Sequence, residues 1–238
     1  MVIHGIHPVI EALRSGTVLE VHLVRRAEGR LAEVEQLAVA QGVRVVRTSP
    51  EALTALTGVS QHQGAAARIE GARRRWTLSD LTDASAAPLI IVLDGVEDPQ
   101  NVGAIVRTAD AAGATGIVRQ ERRSAALNAA AVKASAGALA HARVVDVVNI
   151  ARAMEELKSR GVWIVGLSGD GNQAYDAVDY RPPTAVVLGS EGEGLRRLVR
   201  EHCDFLVRIP MHGQVSSLNV SVAAGVVLYE ALRQRAAR

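Results

Sequence analysis

Ile209-Pro210-Met211-His212-Gly213-Gln214-Val215-Ser216-Ser217-Leu218-Asn219-Val220-Ser221 joins the end of an apolar strand to the start of a long helix through a polar loop. Serine and asparagine at a helix start supply caps, and the free N–H groups there receive ligands. Two further polar, glycine-containing strand ends precede it. One is Asp98-Pro99-Gln100-Asn101-Val102-Gly103, running on to Arg107; the other is Leu188-Gly189-Ser190-Glu191-Gly192-Glu193-Gly194. Working outward from these turns, strands are predicted near 89–93, 115–118, 143–148, 162–167, 185–189 and 205–209. Helices are predicted near 101–112, 127–139, 149–160, 194–203 and 217–235. Continuous apolar strands alternating with helices indicate an α/β fold with a mostly parallel sheet covered on both faces. Ligands bind such sheets beyond the carboxyl ends of the strands, where all three loops fall.

The N-terminal part reads as a smaller α/β unit. A helix over 5–16 precedes a strand over 18–24, a helix over 31–41 and a strand over 43–46. Ser49 and Pro50 then mark the N-cap and first position of another helix, and residues 64–69 return as a strand. Residues 71–87, which include Arg73-Arg74-Arg75 and Asp83-Ala84-Ser85-Ala86-Ala87-Pro88, have linker composition. The domain expectation is therefore 1–70, a linker over 71–87, and 88–238.

Composition narrows the function classes. The chain of 238 residues is 48% apolar, which suits a packed core, and carries a net charge of +2. That balance is compatible with a nucleic-acid partner without requiring one. Aromatic residues make up only 3%, which argues against base stacking on an aromatic sheet. Only Lys133 and Lys158 among the 27 basic residues are lysine; a general Arg and Ala bias accounts for this more simply than phosphate recognition does. A solvated surface is the default reading of the clusters Arg73-Arg74-Arg75 and Arg119 with Arg122-Arg123, with phosphate contact second. Cys203 is the single cysteine, so neither an intramolecular disulfide nor a thiolate metal site is available, and the seven histidines lack ligand spacing. No metal is expected. Pro8, Glu11 and Arg14 interrupt any signal-peptide core, and no apolar run approaches membrane-spanning length, so a cytoplasmic location without membrane contact is expected.

Residue by residue, several readings stand side by side. Asn101 reads as a helix cap. Arg107, set among Ile105, Val106 and Ala109, is predicted to be buried, where it needs an anion or several acceptors. The 189–194 loop lacks the Gly-Lys-Ser/Thr of a Walker loop and the spacing of the dinucleotide fingerprint. Its two carboxylates disfavour a phosphate, while Glu191 suits a hydroxyl or amine donor. Gly169-Asp170-Gly171-Asn172 reads as a plain turn. Small residues at Ala223-Ala224-Gly225 predict the close approach of another helix, from this chain or a second subunit, with ordinary core packing as the competing account.

Together the three loops resemble the three motifs of the SpoU-type (TrmH-like) RNA ribose 2′-O-methyltransferases. They are Asp98-Pro99-x-Asn101 with Arg107, Leu188-Gly189-Ser190-Glu191-Gly192-x-Gly194, and Ile209-Pro210-Met211 through Ser217-Leu218-Asn219-Val220-Ser221. Gly5-Ile6-His7-Pro8-Val9 and His62-Gln63-Gly64 are similar to the family's N-terminal RNA-binding domain of the L30e type. Arg123-Ser124-Ala125-x-Leu127-Asn128, Trp163-Ile164-Val165-Gly166 and Arg197-Leu198-x-Arg200-Glu201-His202-Cys203-Asp204 bring the chain near members that act on a guanosine of 23S rRNA in the peptidyl-transferase loop. The resemblance implies a SPOUT domain with a deep trefoil knot, an N-terminal L30e-like domain, homodimerisation, S-adenosylmethionine as cofactor and RNA as partner. Carried over by motif position, Gly189, Ile209, Met211 and Leu218 would line the cofactor pocket. Asn101, Arg107, Glu191, Ser217 and Asn219 would form the catalytic face. The alternatives are a tRNA or another rRNA nucleotide as target, and a non-catalytic RNA-binding module, which would have no need of all three loops.

Overall fold

Short aliphatic runs bounded by glycine and polar turns set the strands of two separate sheets. The computed structural model describes residues 2–25, 28–69, 76–122 and 124–236; the Arg73-Arg74-Arg75 cluster and Arg123 lie outside the described residues. In chain order the N-terminal part gives β1 (Val2–His4), α1 (Ile6–Arg14), β2 (Val18–Val24), α2 (Arg30–Ala40), β3 (Arg44–Thr48), α3 (Pro50–Thr57) and β4 (Ala65–Ile69). There follow α4 (Leu78–Thr82), β5 (Leu89–Asp94), α5 (Pro99–Ala111), β6 (Gly116–Gln120), α6 (Ala129–Ala134), β7 (Val144–Val147) and α7 (Ile150–Ser159). The last elements are β8 (Trp163–Leu167), β9 (Gln173–Ala174), β10 (Thr184–Gly189), α8 (Arg197–Glu201), β11 (Phe205–Arg208) and α9 (Val220–Ala236).

Two compact units result. Met1–Arg74 combines with Leu127–His141, and Arg75–Ala126 combines with Ala142–Arg238. In the first unit the sheet order is β1-β4-β2-β3, with β4 antiparallel to both neighbours and β2 parallel to β3. Its core holds Ile3, Val9, Leu13, Val21, Leu23, Val34 and Leu53, all essentially without exposure. Ser49 caps α3 as its sequence predicts, accepting from the Ala52 N–H at 3.3 Å. The run predicted as one helix over 127–139 is instead α6 and a 3₁₀ turn at Ala138–Ala140, because Ala136 (φ 50°) and Gly137 (φ 101°) leave helical space.

The second unit is a seven-stranded parallel sheet in the order β7-β6-β5-β10-β8-β11-β9. β5 is buried along its whole length, and its register runs from Leu89 opposite Thr184 to Asp94 opposite Gly189. Chain order steps outward from β5 to β6 and β7, then reverses to the other side, where β10 lies between β5 and β8. The β5–β10 border is thus a switch point, the place where open α/β sheets present a crevice. Three elements escape the periodicity: β1, β9, and α4, which falls in the stretch with linker composition and is opened by a Thr77–Asp80 capping box. Gly194, at φ 68°, also shortens the helix predicted over 194–203 to Arg197–Glu201.

Two features frame the site. α9 packs along α5, with Ala223 and Ala224 buried and the space above Gly225 meeting Thr108, so the close helix neighbour comes from the same chain. At the opposite, strand-start end of the sheet, Arg235 donates to the carbonyls of Ala87 (2.7 Å), Tyr180 (2.8 Å), Pro182 (3.0 Å) and Pro88 (3.3 Å). Burial pulls this guanidinium below its ordinary pKa.

Candidate active site

At the strand ends, backbone crowding shapes the second loop. A Cβ on Gly189 would lie inside the backbone of Gly194 and Leu195, so only glycine closes the loop at its base. Ser190 and Gly194 then exchange backbone hydrogen bonds, both 3.1 Å, leaving Glu191 near the tip. Below the base, the Asp94 carboxylate is fully buried and accepts from Arg196: 2.9 Å to its N–H, 2.6 Å to its Nε, with Nη2 paired to the same group.

Three of the sequence-predicted catalytic residues meet. Asn101 donates its amide to Oε1 of Glu191, and Asn219 donates to the same oxygen at 3.3 Å and to Oδ1 of Asn101 at 3.1 Å. These contacts span 90, 118 and 28 residues of sequence, so no local pattern reveals them. Oε2 of Glu191 takes no hydrogen bond among the described residues. Asn219 also opens α9, its Oδ1 accepting from the N–H (2.9 Å) and hydroxyl (2.6 Å) of Ser221.

Two expectations are corrected here. Asp98, not Asn101, caps α5, accepting from the Gln100 N–H at 2.9 Å; Asn101 is buried in the first turn with its amide aimed at Glu191. Arg107 is exposed rather than buried. The apolar face of α5 runs through Val102, Ile105, Val106 and Ala109, and Arg107 projects from the other side. It lies about 9 Å farther along the helix axis than Asn101.

The loops enclose a cleft of about 990 Å³. Gly189, Ile209, Met211, Leu218, Glu191, Ser217 and Asn219 line it; Asn101 joins through its partners, and Arg107 does not line it. Leu188, Ile209, Met211 and Leu218 give it apolar surface. The backbone amides of Met211, Ser217 and Leu218 form no hydrogen bond among the described residues. One wall was not anticipated: Leu167 at the end of β8 with Ser168 and Gly169 of the turn that follows. Arg200 and the Ser168 hydroxyl hold the Asp170 carboxylate of this turn down at about 2, and Arg208 donates to the Gly171 carbonyl at 2.6 Å. Its position at the end of an apolar strand was the available signal, the same one that marks the other three loops.

The SpoU rRNA Methylase family matches residues 88–229, which contain every strand end that builds the cleft. The chain belongs to this family. A second family description, RNA 2′-O ribose methyltransferase substrate binding, matches residues 2–75 of this SpoU chain. It is 46% identical over 238 residues to the 23S rRNA (guanosine-2′-O-)-methyltransferase RlmB of Xylella fastidiosa, covering 97% of this chain and 95% of that protein. It is 42% identical to the putative TrmH family tRNA/rRNA methyltransferase YacO of Bacillus subtilis, at 97% and 94% coverage. Among solved structures it resembles the SpoU methyltransferase AviRb from Streptomyces viridochromogenes in complex with AdoMet (TM-score 0.85, 26% identity, 100% of this chain and 91% of that one). The AdoMet-bound rRNA methyltransferase from Sinorhizobium meliloti is similar too (TM-score 0.82, 28% identity, 98% and 86%). The fold is accordingly the SPOUT class. No helix among the described residues of this SpoU chain is long and apolar enough to cross a membrane, and none of those residues group as a metal site.

Proposed function

We propose that this chain is an S-adenosylmethionine-dependent methyltransferase that modifies the ribose 2′-hydroxyl of a guanosine in 23S rRNA, acting in the cytoplasm. The observation that carries the reading is the meeting of Asn101, Glu191 and Asn219 at a cleft on the β5–β10 switch point. The cleft's own chemistry suits the cofactor. Unpaired backbone amides at Met211 and Leu218, beside apolar side chains, match a purine edge and face, and Gly189 and Ile209 complete that wall. Bound S-adenosylmethionine supplies a methyl group made electrophilic by its sulfonium.

The protein's task is to place the ribose hydroxyl in line with that methyl and ease the loss of its proton. Asn101 and Asn219 occupy Oε1 of Glu191 and so aim Oε2 at the incoming hydroxyl, which it orients as an acceptor. Ser217 adds a hydroxyl on the same wall. A guanidinium offers five N–H donors and no acceptor, so Arg107 is unsuited to act as a base. It holds the adjacent phosphate and polarises the hydroxyl, with the proton passing to phosphate or water. The unit of Met1–Arg74 with Leu127–His141 holds the RNA, and that of Arg75–Ala126 with Ala142–Arg238 carries the transfer.

A homodimer belongs to this reading. Along α9, Val222 and Tyr229 are each 52% exposed and stand seven residues apart on one face, an apolar strip that a second copy would cover. Transfer from labelled S-adenosylmethionine to separate 23S rRNA, 16S rRNA and tRNA pools, followed by mapping of 2′-O-methyl marks, tests the proposal. A single guanosine mark in 23S rRNA is expected. Marks on tRNA alone, the alternative that the Bacillus subtilis relative's name leaves open, would replace the substrate; no transfer would remove the enzyme.

A further inference from the structure

From the buried pair at the base of the 189–194 loop we infer that Arg196, acting through Asp94, is a positioning residue for methyl transfer. The inference rests on the reading of Glu191 as the group that orients the ribose hydroxyl. Asp94 is 0% exposed, whereas the Arg196 side chain is 40% exposed. A carboxylate so buried persists only with its oxygens bonded, and all its partners among the described residues are on Arg196: N–H to Oδ2, Nε to Oδ1, and Nη2.

The position of this pair gives it leverage. Asp94 ends β5 and leads covalently through Gly95 to Asp98 and Asn101, the first site loop. Arg196 follows Gly194 and Leu195 at the exit of the second loop, immediately before α8. One ion pair therefore ties together the bases of two loops whose tips meet at Asn101 and Glu191. The loop's entry is held by the β10 ladder, where Gly189 stands opposite Asp94. Its exit is folded back on the entry by the Ser190–Gly194 backbone pair, and Arg196, two residues on, anchors that closed loop to the end of β5. Anchoring the six residues between Gly189 and Arg196 at both ends fixes where Glu191 stands against Asn101 and Asn219. A shift of about 1 Å in such a group costs about a hundredfold in rate.

Kinetics of the full-length enzyme with unmodified 23S rRNA and labelled S-adenosylmethionine test this. Arg196→Ala keeps the backbone N–H bond to Asp94 and is expected to lower kcat about a hundredfold. The calorimetric Kd for S-adenosylmethionine and the KM for RNA should each stay within about threefold, because Gly189 keeps its β10 ladder and Ile209, Met211 and Leu218 lie on the third loop. Arg196→Lys keeps the charge without the planar fork and should recover about a tenth of the wild-type rate. Should Arg196→Ala fail to fold around an unpaired carboxylate, the double variant Asp94→Asn/Arg196→Gln buries no charge and is expected to show the same loss of kcat.

The deciding measurement is a cycle with Glu191→Gln. If Arg196 acts through Glu191, adding Arg196→Ala to Glu191→Gln lowers kcat by no more than about twofold further. A Glu191→Gln enzyme with unchanged kcat removes the reading underneath, and the inference with it. A slow Glu191→Gln enzyme on which Arg196→Ala still imposes its full hundredfold loss overturns the inference alone. So does a loss of kcat that tracks lost cofactor affinity or lost folded fraction.

Discussion

At the strand starts of the seven-stranded sheet, one guanidinium, that of Arg235, gathers the carbonyls of Ala87, Pro88, Tyr180 and Pro182. At the strand ends, Asn101, Glu191 and Asn219 satisfy one another from three loops and leave Oε2 of Glu191 and several backbone amides without a partner among the described residues. Both ends inherit the same difficulty, polar backbone leaving a ladder beside a hydrophobic core. One end is closed by a residue that places four of its five N–H donors on protein carbonyls. The other is left with donors and acceptors to spare, held in place by neighbours that do not exhaust them. Stability and binding capacity are thus separated along the strand axis, and substitutions at the two ends should report on different quantities.

The largest effect is expected at Arg107. Exposed and off the cleft lining, it carries no packing role, so Arg107→Ala should cut methyl transfer by about a thousandfold while the melting temperature and S-adenosylmethionine binding stay unchanged. Arg107→Lys at near-normal rate would rule out a planar fork on phosphate. The reverse pattern is expected at the strand starts. Arg235→Ala removes four hydrogen bonds, leaves the Ala87 and Tyr180 carbonyls without a donor among the described residues, and should lower stability by about 2–4 kcal/mol in urea unfolding, with kcat per folded molecule preserved. A large kcat loss there would break the separation of the two ends.

Gly189→Ala tests the border between the two. Its Cβ overlaps Gly194, so a cost of about 1–3 kcal/mol is expected together with weaker cofactor binding by calorimetry. The smallest effect concerns Cys203, which lies just before β11 at the strand-start end. Burial pushes its thiol up to about 12, so it stays protonated through neutral and mildly basic pH. A thiol reagent at pH 8 should modify the native protein at least about a hundredfold more slowly than the unfolded chain; rapid native labelling would mean this end opens.

Sequence reasoning reached the strands of the second unit because Leu89-Ile90-Ile91-Val92-Leu93 and its counterparts are continuous aliphatic runs, buried as such runs must be. It reached the cleft lining because glycines and small polar residues cluster where those runs stop. It lost β1 and β9, which are too short to show a period, and α4, whose capping box sits among linker-like residues. Arg107 was misplaced because its immediate neighbours are apolar, whereas burial on a helix depends on positions three and four away. The Asp94–Arg196 pair spans 102 residues, and nothing in either neighbourhood announces the other.

The position of β10 also governs when the site can come into being. β8 precedes β10 in the chain yet lies one place farther from β5, so the central slot has to be open when residues 184–189 arrive. Until then the strand Leu89–Asp94, apolar through Leu93, has an unpaired edge, an invitation to wrong partners. Pairings across such distances form slowly. A growing polypeptide therefore carries its most adhesive segment for about ninety residues of synthesis before the strand that silences it emerges, and it gains its cleft only after that closure.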